Sequence, residues 1–251
     1  MRPGAGPFTR RTPRVVAARR LQRRRHRDET GLFLAEGPQA VREAGDRIVE
    51  LFATASAGFP DATLVDDDAL ASLAETVNPQ GVVAVCRQVD VPLADALAGP
   101  PRLVAVLVEA REPGNAGTVL RTADAAGAAA VVFAGDTVDP YNGKCVRASA
   151  GSLFHVDVVR AAAPVEVVGA LKAAGLTVLA ADGYGDTALP DAPLSGPTAW
   201  LFGSEAHGLP DEVAALADAR VRVPILGRAE SLNLAAAAAV CLYASALRPT
   251  F

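Results

Sequence analysis

Apolar and polar positions alternate along this chain in two rhythms. Leu103–Val108 is an unbroken apolar run, the pattern of a strand buried on both faces. Comparable short runs predict strands at 31–36, Ile48–Ala53, Ala62–Val65 and Gly81–Arg87 in the first part. Others fall at Ala130–Ala134, Phe154–Val159, Leu176–Ala181, Ala199–Phe202 and Arg220–Pro224 in the second. Between them, Pro38–Ala44, Asp67–Glu75, Asn115–Ala126, Tyr141–Ala150, Pro164–Ala174, Pro210–Ala217 and Ser231–Leu247 read as helices. Strands alternating with helices place the protein in the α/β class. Pro and Gly within Val91–Pro101 mark a linker, or a short helix with a hard stop, and a boundary near 98–101. Residues 13–98 are thus expected to form a small α/β domain, and 102–251 a second unit on a mostly parallel sheet. Ahead of both, Arg14–Arg25 looks helical, with Val15, Ala18 and Leu21 on one stripe. Residues 1–12, with Pro3, Gly4, Gly6 and Pro7, are expected to be disordered.

Composition narrows the class. The 251 residues suffice for one large domain or two small ones, and 51% hydrophobic with 21% charged residues excludes wholesale disorder. The longest mostly apolar stretch, Leu232–Leu247, is shorter than the roughly 20 residues that cross a bilayer. No N-terminal segment has the layout of a secretory signal. Cys86, Cys145 and Cys241 are odd in number and lack a CxxC pair, which disfavours disulfides and zinc. These features predict a cytoplasmic protein with no membrane and no metal.

Charge is distributed unevenly. Ten of the 22 Arg lie in the first 27 residues, which hold no Asp or Glu; residues 28–251 carry a net −14. A guanidinium stays charged and pairs with phosphate bidentately, so the arm reads as a polyanion-binding element. A solvated tail in an Arg-rich protein is the plainer explanation.

Three loops after predicted strands carry the candidate chemistry, since ligands of open α/β sheets bind beyond the carboxyl ends of strands. The first runs from Glu109 through Asn115, a suitable N-cap, to Arg121. The second is Phe202-Gly203-Ser204-Glu205-Ala206-His207-Gly208-Leu209, where Gly203 would let a ligand approach the backbone. The third is Val223-Pro224-Ile225 through Ser231-Leu232-Asn233, where Ser231 or Asn233 would cap the last helix. Taken singly, each residue has an ordinary structural explanation: a cap for Asn115 and Ser231, a surface helix position for Arg121. His155 sits in a strand pattern and reads as structural. The chain lacks a GxGxxG fingerprint after a strand, a GxxxxGK[ST] loop and a GxSxG elbow.

Together the loops resemble a family. Asn115-x-Gly117-x-x-x-Arg121-Thr122-Ala123, Leu201-Phe202-Gly203-Ser204-Glu205-x-x-Gly208-Leu209, and Val223-Pro224-Ile225 with Ser231-Leu232-Asn233 occur in the order of the SpoU (TrmH-like) branch of the SPOUT methyltransferases. Val146-Arg147-Ala148-Ser149-Ala150-Gly151-Ser152 also looks like that family. Phe33-Leu34-Ala35-Glu36-Gly37 is similar to the small RNA-binding domain that often precedes the catalytic one. The resemblance implies a homodimer, a deep trefoil knot in the C-terminal domain, and S-adenosylmethionine as methyl donor. It implies methyl transfer to a ribose 2′-hydroxyl of RNA, 23S rRNA more than tRNA.

On this resemblance Arg121, Asn115, Glu205, Ser231 and Asn233 match the catalytic motif positions, and Gly203, Val223, Ile225 and Leu232 the donor-binding ones. A guanidinium is a poor base, so Arg121 is expected to stabilise the developing alkoxide, with Asn115 orienting Arg121 or the ribose, and Glu205 setting loop or dimer geometry. Arg19, Arg20, Arg23, Arg24 and Arg25 would then grip structured RNA. The competing expectations are an idle RNA-binding or ribosome-assembly factor of the same fold, and a relative that methylates a base nitrogen or tRNA.

Overall fold

The computed structural model describes residues 6–99, 101–161 and 163–248. Its first part holds helices α1 (Pro13–Arg20) and α2 (Arg24–Thr30), then β1 (Leu32–Glu36), α3 (Pro38–Ala44), β2 (Ile48–Ala53), β3 (Thr63–Leu64), α4 (Asp67–Leu73) and β4 (Val82–Arg87). A short helix, α5 (Leu93–Ala96), leads into the second part. There β5 (Leu103–Val108), α6 (Pro113–Ala125), β6 (Ala130–Ala134), α7 (Gly143–Ser149), β7 (Asp157–Ala161), α8 (Pro164–Ala173) and β8 (Thr177–Ala181) follow one another. After them come β9 (Thr187–Ala188), β10 (Thr198–Phe202), α9 (Asp211–Ala214), β11 (Ala219–Arg222) and α10 (Leu234–Ala246).

The smaller sheet has the order β1-β4-β2-β3, and the larger is β7-β6-β5-β10-β8-β11-β9. Every pairing in the larger sheet is parallel. All six residues of β5 are buried. Leu103, Ala105 and Leu107 face α6, α7 and α10, while Val104, Val106 and Val108 face α5, α8 and α9. Two-sided burial is why this strand carries no polar alternation. Trp200 of β10, fully buried, donates its indole N–H to Ser245 Oγ of α10 at 2.8 Å. That bond ties the last helix to the sheet centre.

The two sheets share one core. On β4, Val83 and Val85 face α1 and α4, whereas Val82, Ala84 and Cys86 join the cluster that contains Leu107, Phe133 and Tyr141 of the larger unit. Phe33 packs on Tyr141 with ring centroids 4.7 Å apart and on Phe154 at 5.9 Å.

Several local expectations are corrected. Residues 8–12 are ordered: Phe8 pairs with Val65, its N–H donating to Leu64 O at 2.8 Å, because the ring finds apolar partners beside α4; residues 1–5 lie outside the described part. The Arg-rich segment is two helices broken at Leu21–Arg23, and Val15, Ala18 and Leu21 are indeed its buried stripe. Helix α6 starts before Asn115, with Glu112 as its cap through Gly114 N. His155 precedes β7 rather than lying in it. The two-residue strand β9 is too short for a periodicity to reveal.

Candidate functional site

β5 delivers its chain to α6 through a sharp turn in which Glu109 takes a φ of 53°, a left-handed conformation unusual for a non-glycine residue. Glu112 then caps the helix, which leaves the Asn115 side chain free in the first turn. Gly117 is required by packing: a Cβ there would stand 2.3 Å from Cys145 O of α7.

The loop after β10 closes on itself, with Ser204 N donating to Gly208 O at 3.0 Å and Gly208 N to Ser204 O at 2.9 Å. A Cβ on Gly203 would lie 2.1 Å from the Gly208 carbonyl carbon. The close approach at Gly203 is thus made by the chain's own turn, and not by space kept open for a ligand.

Glu205 at the tip of this turn reaches the first loop. Its carboxylate accepts from Asn115 Nδ2 at 2.9 Å and from Arg111 N at 3.3 Å. Partial burial pushes this carboxyl up, but hydrogen bonds from the Asn115 side chain and from the backbone N–H groups of Glu205, Arg111 and Glu112 hold it below the ordinary range. Asn115 Oδ1 in turn accepts from Asn233 Nδ2 at 3.1 Å, and Asn233 Oδ1 caps α10 through Ala235 N at 2.9 Å. A single line of hydrogen bonds, Glu205–Asn115–Asn233, therefore joins all three loops and fixes which way both amides point. The cap of α10 is Asn233 and not Ser231.

Arg121 stands apart from this line. It lies six residues beyond Asn115 on α6, about 9 Å along the axis at 1.5 Å per residue. It is exposed and makes no hydrogen bond or ion pair with another described residue. Asn115 therefore does not orient it within this chain. Ser231 is likewise exposed on the third loop.

That loop is open in a particular way. No N–H from Ile225 to Leu232 donates to a described residue, and Ile225, Leu226 and Leu232 are exposed, Leu226 at 97%. Val223 packs on the core, and Gly203 is buried. Free backbone donors beside uncovered apolar side chains suit a ligand with a flat heteroaromatic part and polar edges. Among the described residues no group of three His, Cys, Asp or Glu is placed to hold a metal ion, and no helix is long and apolar enough to cross a membrane.

The arm residues divide. Arg24 and Arg25 pair within α2 with Asp28 and Glu29, and Arg19, Arg20 and Arg23 have no ion pair among the described residues. Arg27, which sequence reasoning passed over as one more arm cation, is buried against Asp139.

A model of the SpoU rRNA Methylase family matches residues 102–243, more than half of the chain. The chain belongs to the SpoU family. Residues 12–84 also match an MRM3-like substrate binding domain. Among SpoU relatives, the chain is 34% identical to the 23S rRNA (guanosine(2553)-2′-O)-methyltransferase RlmP of Bacillus subtilis, covering 90% of this chain and 92% of that protein. An AdoMet-bound rRNA methyltransferase from Sinorhizobium meliloti superposes with a TM-score of 0.83 at 35% identity, over 93% of this chain and 94% of that one. The SpoU methyltransferase AviRb of Streptomyces viridochromogenes, solved with AdoMet, gives 0.83 at 30% identity, over 94% and 97%. The expected SpoU membership and α/β fold with its parallel sheet are thus both found.

Proposed function

We propose that this protein is an S-adenosylmethionine-dependent RNA 2′-O-ribose methyltransferase acting on 23S rRNA. The observation that carries the reading is the Glu205–Asn115–Asn233 line, which brings three family motifs to one place beyond the carboxyl ends of β5 and β10. Near-full-length likeness to RlmP supports rRNA as the acceptor.

S-adenosylmethionine supplies an electrophilic methyl group on a sulfonium. Ile225 and Leu232 would hold it with the free N–H groups and exposed apolar side chains of the third loop, above Val223, which packs on the core, and beside the buried backbone of Gly203 on the second loop. Arg121 stabilises negative charge developing on the ribose oxygen, a task suited to an exposed guanidinium with no partner among the described residues. Asn115, Glu205 and Asn233 keep the loops in register, with Ser231 beside them. Positioning supplies much of the rate, since the electrophile is already reactive.

Residues 13–98 serve as the RNA-binding domain, with Arg19, Arg20, Arg23, Arg24 and Arg25 on phosphates, and 102–251 as the methyltransferase domain in the cytoplasm. A homodimer fits the exposed apolar side chains Val240 and Tyr243 on α10 and Leu247 just past its end. The deep trefoil knot in the C-terminal domain belongs to the same reading and rests on membership of the SpoU family.

Radiolabelled methyl transfer to purified rRNA and tRNA, followed by alkaline hydrolysis, tests the reading. Label in alkali-resistant dinucleotides from rRNA is expected. Label in mononucleotides would mean base methylation, and no transfer with no donor binding would leave an idle RNA-binding protein.

A further inference from the structure

Among the described residues, the cross-domain joint contains one buried ion pair. Arg27 and Asp139 have side chains only 4% exposed each. Arg27 Nε donates to Asp139 Oδ2 at 2.8 Å and Nη2 stands 2.7 Å from the same oxygen as an ion-pair contact, while Nη1 donates to Leu21 O at 2.9 Å and Gln22 O at 3.0 Å. Those carbonyls lie at the break between α1 and α2, so the one guanidinium sets the elbow of the basic arm. Asp139 Oδ1 accepts from Tyr141 N at 2.9 Å.

The segment that receives Arg27 is also the brace of the candidate site. Val138 N donates to Ala110 O at 2.8 Å and Thr137 Oγ1 to the same oxygen at 3.0 Å. Ala110 precedes Arg111, whose N–H binds Glu205, and Arg111 Nη1 pairs with Asp136 at 2.7 Å. The arm elbow and the Glu205–Asn115–Asn233 line are therefore attached to opposite ends of the short stretch 136–139. A buried pair anchored by three guanidinium hydrogen bonds is directional, and it costs desolvation that an apolar pair would avoid. Stability alone gives no reason to keep it.

We infer that Arg27 is a positioning residue: through Asp139 it holds the arm at a set place relative to the site loops, so that RNA gripped by the arm presents its target ribose to Arg121. This rests on the methyltransferase reading above.

The test uses the full chain with Arg27→Met, Arg27→Lys, Asp139→Leu and the double variant Arg27→Met/Asp139→Leu, which removes both charges and keeps the site packed. For each, S-adenosylmethionine affinity, the salt dependence of 23S rRNA binding, kcat at saturating rRNA and the melting temperature are measured. Arg27→Met and Asp139→Leu are expected to lower kcat tenfold or more with donor affinity within twofold, and Arg27→Lys to recover part of the loss. The double variant is expected to regain the melting temperature but not kcat, because an apolar pair restores packing without direction.

Wild-type kcat in the double variant would reduce the pair to a stability role and overturn the inference. A salt slope lowered by about one unit in Arg27→Met would make Arg27 a phosphate ligand and overturn it too. Distances between spin labels at Ala17→Cys and Val165→Cys, two exposed positions, separate the joint from the reaction. Were wild type to methylate no RNA, the methyltransferase reading would fail, while a distribution that widens in Arg27→Met would still support the joint and an unchanged one would overturn it.

Discussion

The joint between the two sheets and the loops around Glu205 are built on opposite terms. At the joint nearly every group is used internally. Phe33 and Tyr141 are buried against each other, the Tyr141 hydroxyl donates to Asp90 Oδ1 at 2.7 Å and accepts from Val89 N at 2.8 Å, and burial pushes its phenol far above the ordinary range. Arg147 reaches Glu36, and Arg160 is held by Asp28, Asp90 and Gln88. At the loops the opposite holds: one hydrogen-bonded line sets the geometry, and around it Arg121, Leu226 and a run of N–H groups are left to solvent. Saturated contacts hold two units in one orientation. Unsatisfied ones are where a ligand gains most, because it meets groups with no competing partner.

If that contrast is right, damage to the joint should register in stability and damage to the loops in turnover. The largest effect is expected from Phe33→Ala, which removes a buried ring touching Tyr141 and Phe154; by analogy with core aromatic truncations, unfolding free energy should fall by about 3–5 kcal/mol. Denaturant titration measures it, and a loss below about 1 kcal/mol would mean the joint is loosely packed. Arg121→Ala should do the reverse, lowering kcat by about 10²–10³-fold, the range for removing one transition-state donor, with the melting temperature and donor affinity unchanged. Near-normal turnover would dismiss Arg121 from the chemistry.

Donor binding should stiffen only the loops. At a concentration about one hundred times its Kd, S-adenosylmethionine should add about 2.7 kcal/mol of stability. Hydrogen exchange should slow at Ile225–Leu232 through local protection, and at Phe33 and Tyr141 by no more than the gain in global stability. Replacing Arg19, Arg20 and Arg23 together with Gln should flatten the salt dependence of RNA binding by about 0.7–0.9 for each phosphate no longer neutralised, without altering fold or donor affinity.

The smallest effect concerns pH at the joint's rim. His155 Nδ1 lies 2.8 Å from Asp124 and Nε2 3.0 Å from Glu43, and these bonds raise its pKa above the ordinary value of 6.5. A raised folded-state pKa gives stability that is full below about pH 6.5 and lost as pH rises through the folded value. The pair is solvent-screened, so the difference between wild type and His155→Gln should stay within about 1 kcal/mol and vanish at alkaline pH. A difference that grows with pH would show the imidazole is held neutral.

Much of the architecture was legible in local patterns. The six apolar residues of β5 announced a strand buried on both faces, and Val15, Ala18 and Leu21 announced the buried side of α1, because hydrophobic periodicity is a direct consequence of which face meets the core. The motif residues were legible only as a set: singly, Asn115, Glu205 and Asn233 had ordinary explanations as caps or loop residues, and the order of three loops is what made them a family pattern. Their meeting was not legible. Asn115 looked like a cap because Asn often is one; Glu112, three residues earlier, took that role and released the Asn115 amide to bridge Glu205 and Asn233.

Arg27 marks the same limit from the other side. In the sequence it is the tenth Arg of a basic arm, alike in type and neighbourhood to Arg24 and Arg25. What separates them is a partner 112 residues away. Local composition determined that this protein alternates strands and helices and carries a cationic arm on an acidic body. Only the tertiary structure decided which cation is buried and which polar groups meet, because burial and pairing depend on distances between segments remote in sequence.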